Sequence, residues 1–209
     1  MEETQTNQTQ TQALFWIMGA VVGGLVLLAV LGYVFFGAEL RAHLSQAAAR
    51  SAYAAGQSLE AEGKPEAALQ RYRQALEEHT MDEALRRKCL LAMGDLLVGQ
   101  RRFDEALDAY DRLSPEVFVE APESFVLYLQ ALDYEQDAER GVAVAVLCIV
   151  AAPEEEDADI VTDAFRIFVA AQEEQDYDAV MAAWGMEHIS SPEEMAALAR
   201  LRDAVARIQ

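Results

Sequence analysis

Three histidines, two cysteines and a dense acidic run are the side chains here with the means to do chemistry. His43, His79 and His188 are scattered, and none stands at metal-ligand spacing from another histidine or cysteine. Cys89 and Cys148 lie far apart among apolar neighbours, which describes buried free thiols rather than a disulfide framework or a metal site. Glu154-Glu155-Glu156-Asp157, with Asp159, gathers carboxylates. It lacks the alternating ligands and turn glycine of a calcium loop, so a solvated acidic loop is expected. No phosphate-cradling glycine loop and no nucleophile elbow occurs. Carboxylate pairs are abundant, but among 36 Asp and Glu they say nothing about acid–base catalysis. No nucleophile, base and orienting group can be assembled, so the expectation is a non-enzyme with no cofactor and no metal.

The net charge of −20 is unevenly distributed. Residues 114–190 hold 18 acidic and 2 basic residues, whereas residues 39–113 hold 13 acidic and 11 basic. Such a field repels nucleic acid and anionic headgroups and favours a basic partner, or else serves only to keep the domain soluble. Arg86-Arg87-Lys88 and Arg101-Arg102 are short and flanked by acids, so they are expected to be solvated helix ends. No nucleic-acid partner is expected.

Ala13 to Ala38 form 26 consecutive positions without a charge. A helix of that length is about 39 Å long, enough to cross a hydrocarbon core of about 30 Å. Phe15 and Trp16 near one end, and Tyr33, Phe35 and Phe36 near the other, fit the interfacial belts. A cleavable signal peptide fits poorly, because the n-region has no Lys or Arg and the apolar run is too long. The segment is therefore expected to be a single transmembrane helix and the contact with the lipid bilayer. It follows a polar tail at 1–12 and precedes a juxtamembrane helix or linker at 39–50. Arg41 and Arg50 on one flank, against none on the other, point to a cytoplasmic C-terminal domain, with the periplasmic side left open. Gly19 and Gly23 are four apart, and Ala20 and Gly24 repeat that spacing, a candidate helix–helix contact face for homo- or hetero-association.

From Ser51 to Leu113 the chain is rich in Ala, Leu, Glu, Arg and Gln, and its apolar positions recur at helical spacing. Two stretches are similar: AAGQSLEAEGKPEAALQRYRQAL and LAMGDLLVGQRRFDEALDAYDRL. Gly56 aligned on Gly94 brings Leu59 onto Leu97, Pro65 onto Phe103, Ala68 onto Ala106 and Tyr72 onto Tyr110. This pattern resembles the tetratricopeptide repeat, with a small residue midway along helix A and Ala then a bulky residue along helix B. The offset is 38 residues rather than the usual 34 or so, which places a short insertion around His79 to Glu83. Two looser copies follow. One sets Ala131 in the glycine position, with Tyr134, Ala143 and Leu147 in the next places, over helices Glu123–Glu135 and Gly141–Ala151. The other sets Tyr177 on Phe103 and Trp184 on Tyr110. The resemblance implies a concave groove that holds a partner's peptide or helix, with Tyr53, Gln57, Glu60, Lys88, Leu91 and Asp95 as its candidate lining.

Ser191 followed by Pro192 and Glu194 is a capping box at a helix start. Met195, Leu198, Leu201, Val205 and Ile208 share one face of that helix, as expected of a cap over an open stack. The expected architecture is all-α: a transmembrane helix, TPR-like helical hairpins over 51–190 forming an α-solenoid, and a capping helix at 191–209. The expected function is a membrane-tethered scaffold or adaptor for a protein partner that is basic or itself membrane-embedded. The alternative is a single-span accessory subunit docked through Gly19 and Gly23.

Overall fold

The computed structural model describes residues 37, 39–40, 42–77, 81–172 and 176–208. The polar tail, almost all of the uncharged segment and its Gly19/Gly23 pair lie outside these residues. Among the described residues no helix is long and apolar enough to cross a membrane.

Every regular element described is helical. The first helix, α1, takes in residues 42–61, and residues 37, 39 and 40 before it are helical too. Positions 39–50 therefore run into the first repeat helix with no loop among the described residues. It is followed by α2 (Pro65–Glu77), α3 (Glu83–Gly99), α4 (Phe103–Tyr110), α5 (Pro115–Glu120) and α6 (Pro122–Tyr134). The remainder is α7 (Ala138–Ala151), α8 (Glu155–Ala170), α9 (Tyr177–His188) and α10 (Pro192–Ala206). α2 packs on α3, α3 on α4, α4 on α6, α6 on α7 and α7 on α8, whereas α9 packs mainly on α7 and α10 rather than on α8, so the fourth expected hairpin does not close as the first two do. α3, α6 and α8 also pack in series.

The first two hairpins share one packing device. A Cβ added at Gly56 would stand 2.4 Å from Cε1 of Tyr72, and one added at Gly94 would stand 2.4 Å from Cε1 of Tyr110. Each glycine is a seat for a fully buried tyrosine ring from the next helix. Only a residue without a side chain lets the two helices close to that distance.

The turns repeat as well. Gly63, Arg101 and Gln136 all take a positive φ, at 70°, 60° and 60°. The following N–H groups of Lys64, Arg102 and Asp137 reach back to Leu59, Leu97 and Leu132, each at 2.9 Å. These are left-handed C-terminal caps that satisfy otherwise orphaned carbonyls. They set the register of the third hairpin, and it differs from the sequence alignment by two residues. Counting from the turns, Leu129 stands where Gly94 stands, Gly141 where Ala106 stands and Ala145 where Tyr110 stands. Tyr134 and Leu147, aligned above with the buried Leu97 and Tyr110, are 58% and 44% exposed. The large and small partners have exchanged helices, so an alignment built on the small residue of helix A loses the register.

Two other expectations change. Glu154 to Asp157 form no loop: Glu154 is the N-cap of α8, and the next three acids make its first turn, where the helix dipole favours negative charge. α5 is an element that the repeat pattern does not contain. It starts at Pro115 and buries Val117, Phe118 and Val119, with Phe118 stacked on Tyr128 at 5.2 Å. Six residues are too few for helical periodicity to show.

α10 closes over α7, α8 and α9. Its capping box is formed, with the Glu194 N–H donating to Ser191 Oγ at 3.1 Å and the Ser191 N–H donating to Glu194 Oε2 at 3.0 Å. Leu198, Leu201 and Val205 face inward as expected, joined by Ala197 and Ala204, whereas Met195 is 61% exposed and Ile208 is 38% exposed. The buried stripe is shorter than expected and broadened by the two alanines.

Candidate interaction surface

The six residues read as a groove lining lie on α1 and α3, and most are occupied by the fold itself. Tyr53 is half-buried with its ring 5.7 Å from that of Tyr72, and its hydroxyl accepts from Gln57 Nε2 at 3.1 Å. Glu60 accepts the Tyr72 hydroxyl at 2.7 Å. Leu91 is half-buried against the core. Asp95 receives two donors, Tyr110 Oη at 2.7 Å and Ser124 Oγ at 2.9 Å. Lys88 is exposed and makes no ion pair among the described residues.

Asp95 is the electrostatic centre of this region. Burial pushes its carboxyl above the ordinary range, against the lowering effect of its two hydrogen bonds, and Glu60 and Glu123 add to the rise. Tyr110 is pushed up in turn, first by burial and then by Asp95. The same construction recurs along the molecule. The Tyr128 hydroxyl donates to Asp111 at 2.7 Å, and Asp111 is also paired with Arg140. The Tyr177 hydroxyl lies 3.4 Å from Asp133. A buried hydroxyl needs a partner, and in each case a carboxylate on another segment provides it. These pairs tie one segment of the chain to another.

Ties between hairpins continue on the surface. Asp82 caps α3 through the Leu85 N–H at 2.8 Å and also accepts from Gln46 Nε2 at 3.1 Å and Arg50 Nη2 at 3.2 Å. Arg50, one of the two arginines on which the expected orientation rests, is engaged with Asp82 in holding α1 to the start of α3. Arg102 pairs with Glu66 and Glu105, and Glu105 also pairs with Arg73.

Among the described residues no group of three or more His, Cys, Asp or Glu is placed to hold a metal ion. Cys89 and Cys148 are fully buried and free. Burial pushes the first to about 11 and the second to about 12, so neither is an activated nucleophile.

What the alignment missed lies downstream. Ile160 and Ile167 of α8 are 40% and 59% exposed. With Glu156 and Asp163 they form an exposed line at spacings of four, three and four along that helix. The signal was present as a second, weaker apolar period beside the buried one. A cleft of about 370 Å³ between α9 and α10 exposes Met186 and Met195.

No protein-family model, no curated protein and no solved structure matches this chain. The likeness to the tetratricopeptide repeat accordingly stands on residues and packing alone.

Proposed function

We propose that this protein is a membrane-tethered, TPR-like α-solenoid scaffold that binds a protein partner. The observation that carries the reading is the repeated seat of tyrosine on glycine, Tyr72 on Gly56 and Tyr110 on Gly94, at a spacing of 38 residues. Hairpins joined in this way stack through nearest neighbours and leave one side of their A helices open, the arrangement by which solenoids bind extended partners. The tether is the uncharged segment Ala13 to Ala38. Leu40 and Leu44, about 60% exposed one turn apart, carry its apolar character past the last uncharged position. A tether on a shared membrane raises the effective concentration of the partner, so a modest groove suffices.

A second reading rests on Gly19 and Gly23, which suit a helix–helix contact inside the bilayer. In it the protein is an accessory subunit docked through that helix. Replacing both glycines by leucine separates the two. Loss of the complex with an intact helical domain favours the accessory subunit, and an unchanged complex favours the scaffold. Carbonate extraction of membranes, protease accessibility of residues 39–209 in intact cells and crosslinking to a membrane complex test the scaffold. Recovery of the chain in the carbonate-soluble fraction defeats it.

A further inference from the structure

We infer that the open face of α8 is the part of this scaffold that docks its partner, and that the partner segment is a basic amphipathic helix. This rests on the scaffold reading and names the class of ligand it takes. α8 spends one side on the fold: Ala158, Val161, Thr162, Ala164, Phe165 and Phe168 are buried. The other side presents Glu156, Ile160, Asp163 and Ile167 as a single stripe in which acid and isoleucine alternate. Ile160 and Ile167 are the apolar positions of this stripe, 40% and 59% exposed, and its charged neighbours decide what can cover them. A facing helix meets such a stripe with apolar anchors at matching two-turn spacing.

The charge fixes what covers it. Residues 114–190 carry 18 acids against Arg140 and Arg166. Arg140 is consumed by Asp111 and Arg166 by Asp163. Arg200, reaching across from α10, is consumed by Glu155 and Asp159. Glu156 makes no ion pair among the described residues. A second copy of a chain with net charge −20 is repelled from this face, as are nucleic acid and an anionic leaflet. Lysines and arginines flanking an apolar seam satisfy both the isoleucines and the uncompensated field, and they steer the approach.

The test uses the full chain in nanodiscs of zwitterionic lipid, with empty nanodiscs as background. The probe is a synthetic helix of leucine and lysine with one apolar face and a photoreactive group, its crosslinks located by mass spectrometry. Two comparison peptides accompany it, a scrambled isomer of the same composition and a glutamate-for-lysine version. The expected result is crosslinking confined to residues 156–167 by the amphipathic cationic peptide alone. Ile160→Ser with Ile167→Ser should weaken its binding about tenfold or more, since both anchors are lost. Leu147→Ser with Val150→Ser, exposed positions on α7, should leave it unchanged. Equal capture of the scrambled isomer, crosslinks elsewhere on the chain, or indifference to the isoleucine substitutions overturns the inference. If any of these occurs while the chain still crosslinks to a membrane complex in cells, the scaffold reading survives and this inference fails by itself.

Discussion

Replacing Gly94 by alanine should destabilise the protein, although alanine is the better helix former. In an unconstrained helix interior the exchange is favourable by about 1 kcal/mol. Here the new Cβ would lie 2.4 Å from Cε1 and 2.6 Å from Cζ of Tyr110. The ring cannot step aside cheaply: it is fully buried, with the Tyr128 and Phe118 rings at 5.1 and 5.9 Å. Overpacking of this kind costs about 1–3 kcal/mol. A displaced ring also loses its hydroxyl bond to Asp95, worth about 1.5–3 kcal/mol for a charged acceptor. The net loss is about 2–4 kcal/mol, or about 10 °C in Tm at roughly 2–4 °C per kcal/mol for a chain of this size. Urea and thermal unfolding of the full chain in detergent, followed by circular dichroism, measure it. Two controls isolate the cause. Gly99, in the same helix, has nothing within 4 Å of where an added methyl would stand, so Gly99→Ala should be neutral or stabilising by up to about 1 kcal/mol. Tyr110→Ala removes all three ring atoms that the new Cβ would meet, Cδ1 at 2.8 Å included, together with the hydroxyl, and in that background Gly94→Ala should become neutral or stabilising. The coupling energy should be about 3 kcal/mol. A Gly94→Ala effect of the same sign and size in both backgrounds would refute the tyrosine seat as the reason for the glycine.

Four further outcomes follow from the geometry. Gln136→Gly, at a left-handed position with φ 60°, should stabilise by about 0.5–1 kcal/mol, the relief of strain exceeding the added freedom of the unfolded chain; a lower urea midpoint would count against it. Ser191→Ala removes half of the α10 capping box and should cost about 1 kcal/mol, read as a lower Tm with earlier amide exchange in α10. Cys89 and Cys148 should resist alkylation at neutral pH until the chain unfolds, their thiols being buried and pushed to about 11 and about 12; rapid labelling of the native protein would contradict their placement. Asp82 is held below the ordinary carboxylate value by the Leu85 N–H and then by Gln46 and Arg50. Its folded pKa is lowered, so its contribution is present above the unfolded value of 3.8 and lost as pH falls through the folded one. Asp82→Asn should flatten that acid limb of the stability curve.

The hairpins over residues 51–113 were legible because their key residues are of unusual types. A glycine inside a helix and a tyrosine sixteen residues later are conspicuous, and both copies keep them. The capping helix was legible for a similar reason: Ser191, Pro192 and Glu194 leave few alternatives. The groove lining was harder, because helical spacing says which residues share a face and not which of them are already engaged. Nothing in the spacing of Glu60 or Asp95 reveals a tyrosine hydroxyl arriving from the next helix. The α8 stripe was masked by the reverse problem. Its acids look like solvating charge, and only the burial of Val161, Phe165 and Phe168 on the other side leaves Ile160 and Ile167 without a place in the core.

The third hairpin shows why similarity fades here before the packing does. The space between α3 and α4 is filled by a tyrosine from helix B over a glycine in helix A. Between α6 and α7 the bulk comes from Leu129 in helix A, facing Gly141 in helix B, with the small Ala145 at the register position of Tyr110. A Cβ on Gly141 would meet Leu129 at 3.6 Å, an ordinary contact, so this glycine is not required as Gly94 is. Close packing conserves the volume shared by two helices, not which helix supplies it. What persists across all three hairpins is the backbone device, a left-handed residue followed by an N–H returning to a leucine carbonyl. Arg101 and Gln136 occupy that position without being glycine, so it leaves no mark in the sequence. Gly141→Ala should therefore be tolerated or mildly stabilising, by about 0.5–1 kcal/mol, where Gly94→Ala is costly. Two glycine substitutions of opposite sign in neighbouring hairpins would separate a structural repeat that has inverted its packing from one that was never there; equal losses at both sites would rule the inversion out.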